Sequence, residues 1–84
     1  MMWCVTWLPA AVGQLASLWI NAPDKSLITR VADEVERMLE NKPDQIGIPY
    51  RGRRVLFKAP LAVTFAVYPA QEVVEVLQVE RISQ

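Results

Sequence analysis

Large apolar residues alternate with smaller ones at the start of the chain: Trp3, Val5 and Trp7 are separated by Cys4 and Thr6. A period of two predicts a strand over 2–8, and Thr and Trp are good strand formers. The period then changes. Pro9 suits the first turn of a helix, where its missing N–H costs nothing. Val12, Leu15, Leu18 and Trp19 follow at helical spacing. Gly13 weakens this helix by up to ~1 kcal/mol, so packing must hold it. Asn21-Ala22-Pro23 ends it, because the residue before a proline is pushed out of the helical region.

A second helix is the clearest element. Leu27, Ile28, Val31, Val35, Met38 and Leu39 form one apolar stripe, while Arg30, Asp33, Glu34, Arg37 and Glu40 occupy the other side. The stripe reads as core and the charged side as a solvated face. Asp24 is the expected N-cap, with Ser26 as the competing choice. Arg30 with Glu34 and Asp33 with Arg37 have the spacing of helical ion pairs, worth a few tenths of a kcal/mol each. Asn41-Lys42-Pro43 stops the helix. Residues 43–49, with two prolines and a glycine, read as a connector tacked to the core by Ile46 and Ile48.

Three further strands are predicted. In the first, Val55 and Phe57 face one way, and Arg54, Leu56 and Lys58 the other. After a reversal at Lys58-Ala59-Pro60, Leu61, Val63, Phe65 and Val67 alternate with Ala62, Thr64 and Ala66. After a turn at 68–71, the stretch 73–82 does not alternate cleanly. Its adjacent Val76 and Leu77 suggest a central strand covered on both faces. The predicted order is β-α-α-β-β-β. This is an α+β fold with two N-terminal helices packed on one face of a four-stranded, mostly antiparallel sheet. The large residues of 61–68 meet the helices, and the small ones leave a concave open face.

Eighty-four residues are read as a single domain, 1–84. The formal net charge is zero, which excludes a protein that coats nucleic acid through bulk charge but not a local phosphate site. With one cysteine and no histidine, no internal disulfide forms, and a reducing, cytoplasmic location is expected. Cys4 lacks the usual base and reads as a strand residue, not a nucleophile. The first charged side chain is Asp24. The apolar opening is read as a buried strand and helix. No Lys or Arg precedes it, and Pro9, Gly13, Gln14 and Ser17 interrupt it, so neither signal peptide nor membrane span is expected. Neither a metal nor another cofactor is expected. The only remaining ligand type, carboxylate, falls on the helix face and in the last strand.

Charge is nevertheless concentrated. No acidic residue lies between Asp44 and Glu72, whereas Arg51, Arg53, Arg54 and Lys58 all do. Three readings are open. The cluster could contact phosphate in RNA, where a guanidinium fork matches two oxygens at once. It could dock an acidic protein segment. It could also be a solvated strand edge that discourages aggregation.

Several segments together resemble the RelE/ParE toxin superfamily, the toxins of bacterial toxin–antitoxin pairs, along nearly the whole chain. They are Val5-Thr6-Trp7-Leu8-Pro9-Ala10, Gly52-Arg53-Arg54-Val55-Leu56-Phe57, Leu61-Ala62-Val63-Thr64-Phe65-Ala66-Val67, and Val76-Leu77-Gln78-Val79-Glu80-Arg81-Ile82. The resemblance implies a type II toxin neutralised by a cognate antitoxin, acting as a ribosome-dependent, metal-independent mRNA endonuclease. By position, Arg53 or Arg54 resembles the basic residue of the family's second strand, and Arg81 the one ending the last strand. With Lys58 they form the expected catalytic set, and Tyr50, Arg51, Arg53 and Arg54 the expected RNA contacts. An arginine binds phosphate but does not serve easily as a base. The proton acceptor is therefore sought among Lys58, Tyr50, Tyr68 and Glu80. Two departures motivate the alternatives of a non-enzymatic DNA gyrase inhibitor or a degenerate antitoxin-binding module. Ala62 stands about where RNA-cleaving members often carry arginine, and only Ser83 and Gln84 follow Ile82.

Overall fold

The computed structural model describes residues 2–82. Its elements are β1 (Cys4–Trp7), α1 (Pro9–Asn21), α2 (Lys25–Asn41), β2 (Ile48–Tyr50), β3 (Arg53–Lys58), β4 (Leu61–Tyr68) and β5 (Val73–Arg81). They form a single five-stranded sheet in the order β1-β5-β4-β3-β2. This corrects the four-stranded expectation twice. The stretch 48–50, read as connector, pairs antiparallel with β3. The sheet is also mixed, because β1 runs parallel to β5. The β1-α1-α2 segment crosses over the sheet and delivers the chain to the far edge.

Both helices begin and end where their signals lie. Asp24 caps α2 by accepting a hydrogen bond from Leu27 N at 3.1 Å, and Ser26 Oγ donates to the same carboxylate at 2.8 Å. These two bonds hold the Asp24 carboxyl below its ordinary pKa. The stripe of α2, Ile28, Val31, Val35 and Leu39, joins Ala11 of α1 and Leu56, Leu61, Val63, Phe65, Val74, Val76 and Val79 of the sheet in one buried core, with α1 lying over β5. Glu34 reaches Lys58 Nζ of β3, 3.4 Å away, instead of the expected helical partner Arg30.

β5 lies inside the sheet, between β1 and β4, but it is not covered on both faces as expected, since Gln78 and Glu80 are exposed. Its neighbouring apolar pair has another cause. Phe65 is opposite Val76 and Thr64 opposite Gln78, so Leu77 is the extra residue of a β-bulge. Beyond the bulge β5 outruns the short β1. Its Val79 N–H is satisfied from α1 instead, by Gln14 Oε1 at 2.7 Å. A buried amide is thereby paired where the ladder has no strand to offer.

Candidate functional site

Parity along β3 decides which cations share a surface. Successive strand residues point to opposite faces. Leu56 is buried toward the helices, with Arg54 and Lys58 on its side, while Arg53, Val55 and Phe57 face away. The same rule places Ala62 and Thr64 of β4 and Gln78 and Glu80 of β5 on that open face. A cavity of about 460 Å³ results. Its floor is Ala62 and Thr64. Val55 and Phe57 form one wall, Gln78 and Glu80 the other, and Tyr50, Arg51 and Arg53 close one end. Small floor residues between longer walls make the face concave, as the alternation in 61–68 implies.

The basic end is a two-residue hairpin. Tyr50 pairs with Arg53, and between them Arg51 and Gly52 have φ of 51° and 78°. Two positive φ values match the type I′ turn that suits the twist of a hairpin. Gly takes this conformation freely, but a residue with a long side chain is strained in it. Arg51 occupies it with its guanidinium carbon 5.3 Å from the centre of the Tyr50 ring, a cation–π contact. A second depression, of about 420 Å³, wraps the outside of the hairpin. Asp44, Arg51, Arg53 and Arg54 are among its lining residues.

The expected site residues therefore divide. Tyr50, Arg51 and Arg53 come together at the open face. Arg54 turns toward the connector, donating from Nε to Ile46 O at 2.7 Å and from Nη2 to Gly47 O at 3.2 Å. Lys58 reaches α2 through Glu34. Arg81 lines a separate cavity beside the α2 N-terminus, with Ala22, Asp24 and Leu27. Of the residues considered as proton acceptor, Tyr50 and Glu80 line the open-face cavity, Tyr50 at the basic end and Glu80 on the far wall. Glu80 Oε1 accepts a hydrogen bond from Gln78 Nε2 at 2.8 Å. Tyr68 is at the opposite end of β4 and donates its hydroxyl to Glu75 at 3.3 Å.

Phe57 is the open-face residue that sequence reasoning missed. It is 56% exposed, although a phenylalanine within a strand ordinarily suggests core. Its parity with Val55 was the available signal. Ile48, expected to tack the connector to the core, is 58% exposed. Ile46 does pack against the core. Among the described residues, no three carboxylate or thiol groups gather as a metal ion requires, and no helix is long and apolar enough to cross a membrane.

No protein-family model matches the sequence, and no curated protein matches it. Solved structures do match in three dimensions. A chain of the RelBE2 toxin–antitoxin complex from Mycobacterium tuberculosis superposes with a TM-score of 0.83 at 16% identity, covering 100% of this chain and 95% of that one. A chain of the chromosomal ParDE system from P. aeruginosa gives 0.75 at 19% identity, covering 98% of each. The isolated RelE toxin of E. coli gives 0.65 at 10% identity, over 98% of this chain and 86% of that one. The likeness extends over nearly the whole chain, and the chain has the fold of the RelE/ParE toxin superfamily.

Proposed function

We propose that this chain is the toxin of a type II toxin–antitoxin pair, an endoribonuclease acting on ribosome-bound mRNA and neutralised by a cognate antitoxin. The likeness to toxin–antitoxin structures over the full length of the chain carries the first part of the reading. The open face supports the second. Cleavage of RNA through its own 2′-hydroxyl needs positive charge at the scissile phosphate and an acceptor for the hydroxyl proton. Arg53 and Arg51 supply the charge, Tyr50 orients Arg51, and Glu80 is the acceptor on the far wall. Arg54 and Lys58 are assigned to holding the connector and the helix layer, and Arg81 lies off the open face beside the α2 N-terminus.

Inducible expression in a bacterial host, with transcript ends mapped, tests this reading. Growth arrest with new transcript ends supports it, and their absence from arrested cells refutes the nuclease. A second reading has its own motive. Three of the four expected catalytic cations lie off the open face, and Ala62 is on its floor, which suits a toxin that binds a protein target such as DNA gyrase without chemistry. Inhibition of supercoiling by purified protein distinguishes the two.

A further inference from the structure

We propose that Phe57 is a base-stacking residue, which holds one base of a single-stranded RNA while the sugar–phosphate chain runs toward Arg53 and Arg51. The inference rests on the endonuclease reading and adds to it the residue that selects and positions the nucleotide.

Exposing an aromatic ring in mid-strand forgoes the burial that its area normally brings. Here the exposure is built in. Phe57 is directly opposite Ala62, whose methyl group cannot cover the ring, and the next floor residue is Thr64. One face of the ring therefore borders an open trough of about 460 Å³, within the size range of small-ligand sites. Arg53 is four residues back on the same face of β3, about 13 Å at ~3.3 Å per residue. That span accommodates more than one nucleotide. Arg51 extends the positive end from the hairpin. Alternating aromatic and guanidinium groups along a groove are how proteins hold single strands, stacking the bases and pairing the phosphates. A free apolar wall alone would fit many partners. The two arginines at one end and the amide–carboxylate pair Gln78–Glu80 opposite the ring favour a ligand with both phosphates and polar base edges over an acidic peptide.

Binding of fluorescently labelled RNA hexamers, measured by anisotropy at low salt, tests the inference. The hexamers are oligo-A and the same backbone with one abasic position scanned along it. Phe57→Leu keeps an apolar side chain but removes the flat ring, and Phe57→Tyr keeps the ring. The inference expects Phe57→Leu to weaken oligo-A binding about 5- to 150-fold, the range for loss of one stacked base, and Phe57→Tyr to bind like the wild type. It also expects one abasic position at which wild type and Phe57→Leu bind equally. A Phe57→Leu loss that persists at every abasic position, no loss at all, or no RNA binding by the wild type overturns it. Loss of antitoxin binding with unchanged RNA binding overturns it too, assigning the face to protein docking. Transcript-end mapping with the wild type judges the endonuclease reading separately. New ends combined with a null Phe57→Leu result leave that reading standing and remove only the stacking residue.

Discussion

Arg53 and Arg54 are consecutive, yet Arg53 lines the open-face cavity while Arg54 donates hydrogen bonds to the carbonyls of Ile46 and Gly47 at 2.7 and 3.2 Å. Their alanine variants should separate function from stability. Arg53 is exposed, so Arg53→Ala changes stability by less than about 0.5 kcal/mol but removes growth arrest. Arg54→Ala strands two carbonyls beside a half-buried site and costs roughly 1–3 kcal/mol, read by urea unfolding. If Arg53→Ala unfolds the protein, or Arg54→Ala leaves stability untouched, the division of roles is wrong.

Arg51 sits where the backbone favours a different residue. Asn or Gly at the first position of a type I′ turn relieves strain, so Arg51→Asn should raise the melting temperature by a few degrees at most. If Arg51 binds phosphate as proposed, the same change should also weaken RNA binding. Calorimetry and anisotropy on one variant read both effects. A less stable Arg51→Asn protein contradicts the strain argument.

Gly47 is required by geometry. A Cβ placed there would be 2.8 Å from Val55 O, and φ is +78°. The left-handed conformation alone costs an L-residue about 1–2 kcal/mol, and the backbone clash adds to it. Gly47→Ala should therefore destabilise more than Gly52→Ala. Gly52 also has φ of +78°, but its Cβ would meet nothing within 4 Å. Equal unfolding midpoints for the two variants would refute this.

Gln14 closes a gap that the parallel strand leaves. Val79 is 2% exposed, and its N–H bonds to Gln14 Oε1. Gln14→Leu leaves that amide unpaired and should cost roughly 1–3 kcal/mol. Hydrogen exchange at Val79 should accelerate in the variant. Unchanged exchange would show that another acceptor takes over.

Stability should also depend on acid through Asp24. Its pKa is lowered in the folded protein by the bonds from Ser26 and Leu27. The unfolded chain therefore takes up the proton first as pH falls. The cap's contribution is complete above the ordinary carboxylate pKa and is lost as pH drops through the lowered one. Asp24→Asn retains an N-cap acceptor without the titration, so its melting temperature should fall less between neutral and acid pH than that of the wild type.

Much of this was legible because local rules acted alone. Pro9, Asp24 and Pro43 mark the helix boundaries, and Ala62, Thr64 and Ala66 reveal the open face. β2 was hidden because Pro49 lies inside it and all three of its residues are exposed, so no apolar alternation marks it. The parallel pairing of β1 with β5 joins segments far apart in sequence, where no turn signal operates. The division of the cations was available from parity: Val55 and Phe57 on one face place Arg53 with them and Arg54 opposite. Reading the four cations as one cluster in sequence concealed it. The hydrogen bonds that occupy Arg54 depend on a connector geometry that only the folded chain supplies.

The most direct test of the central claim is transcript-end mapping in a bacterial host after expression of wild type, Arg51→Ala/Arg53→Ala, or Lys58→Ala/Arg81→Ala. The open-face account predicts new ends with the wild type and with Lys58→Ala/Arg81→Ala, and none with Arg51→Ala/Arg53→Ala when that protein is soluble and folded. Ends that persist without Arg51 and Arg53, or disappear only without Lys58 and Arg81, contradict it.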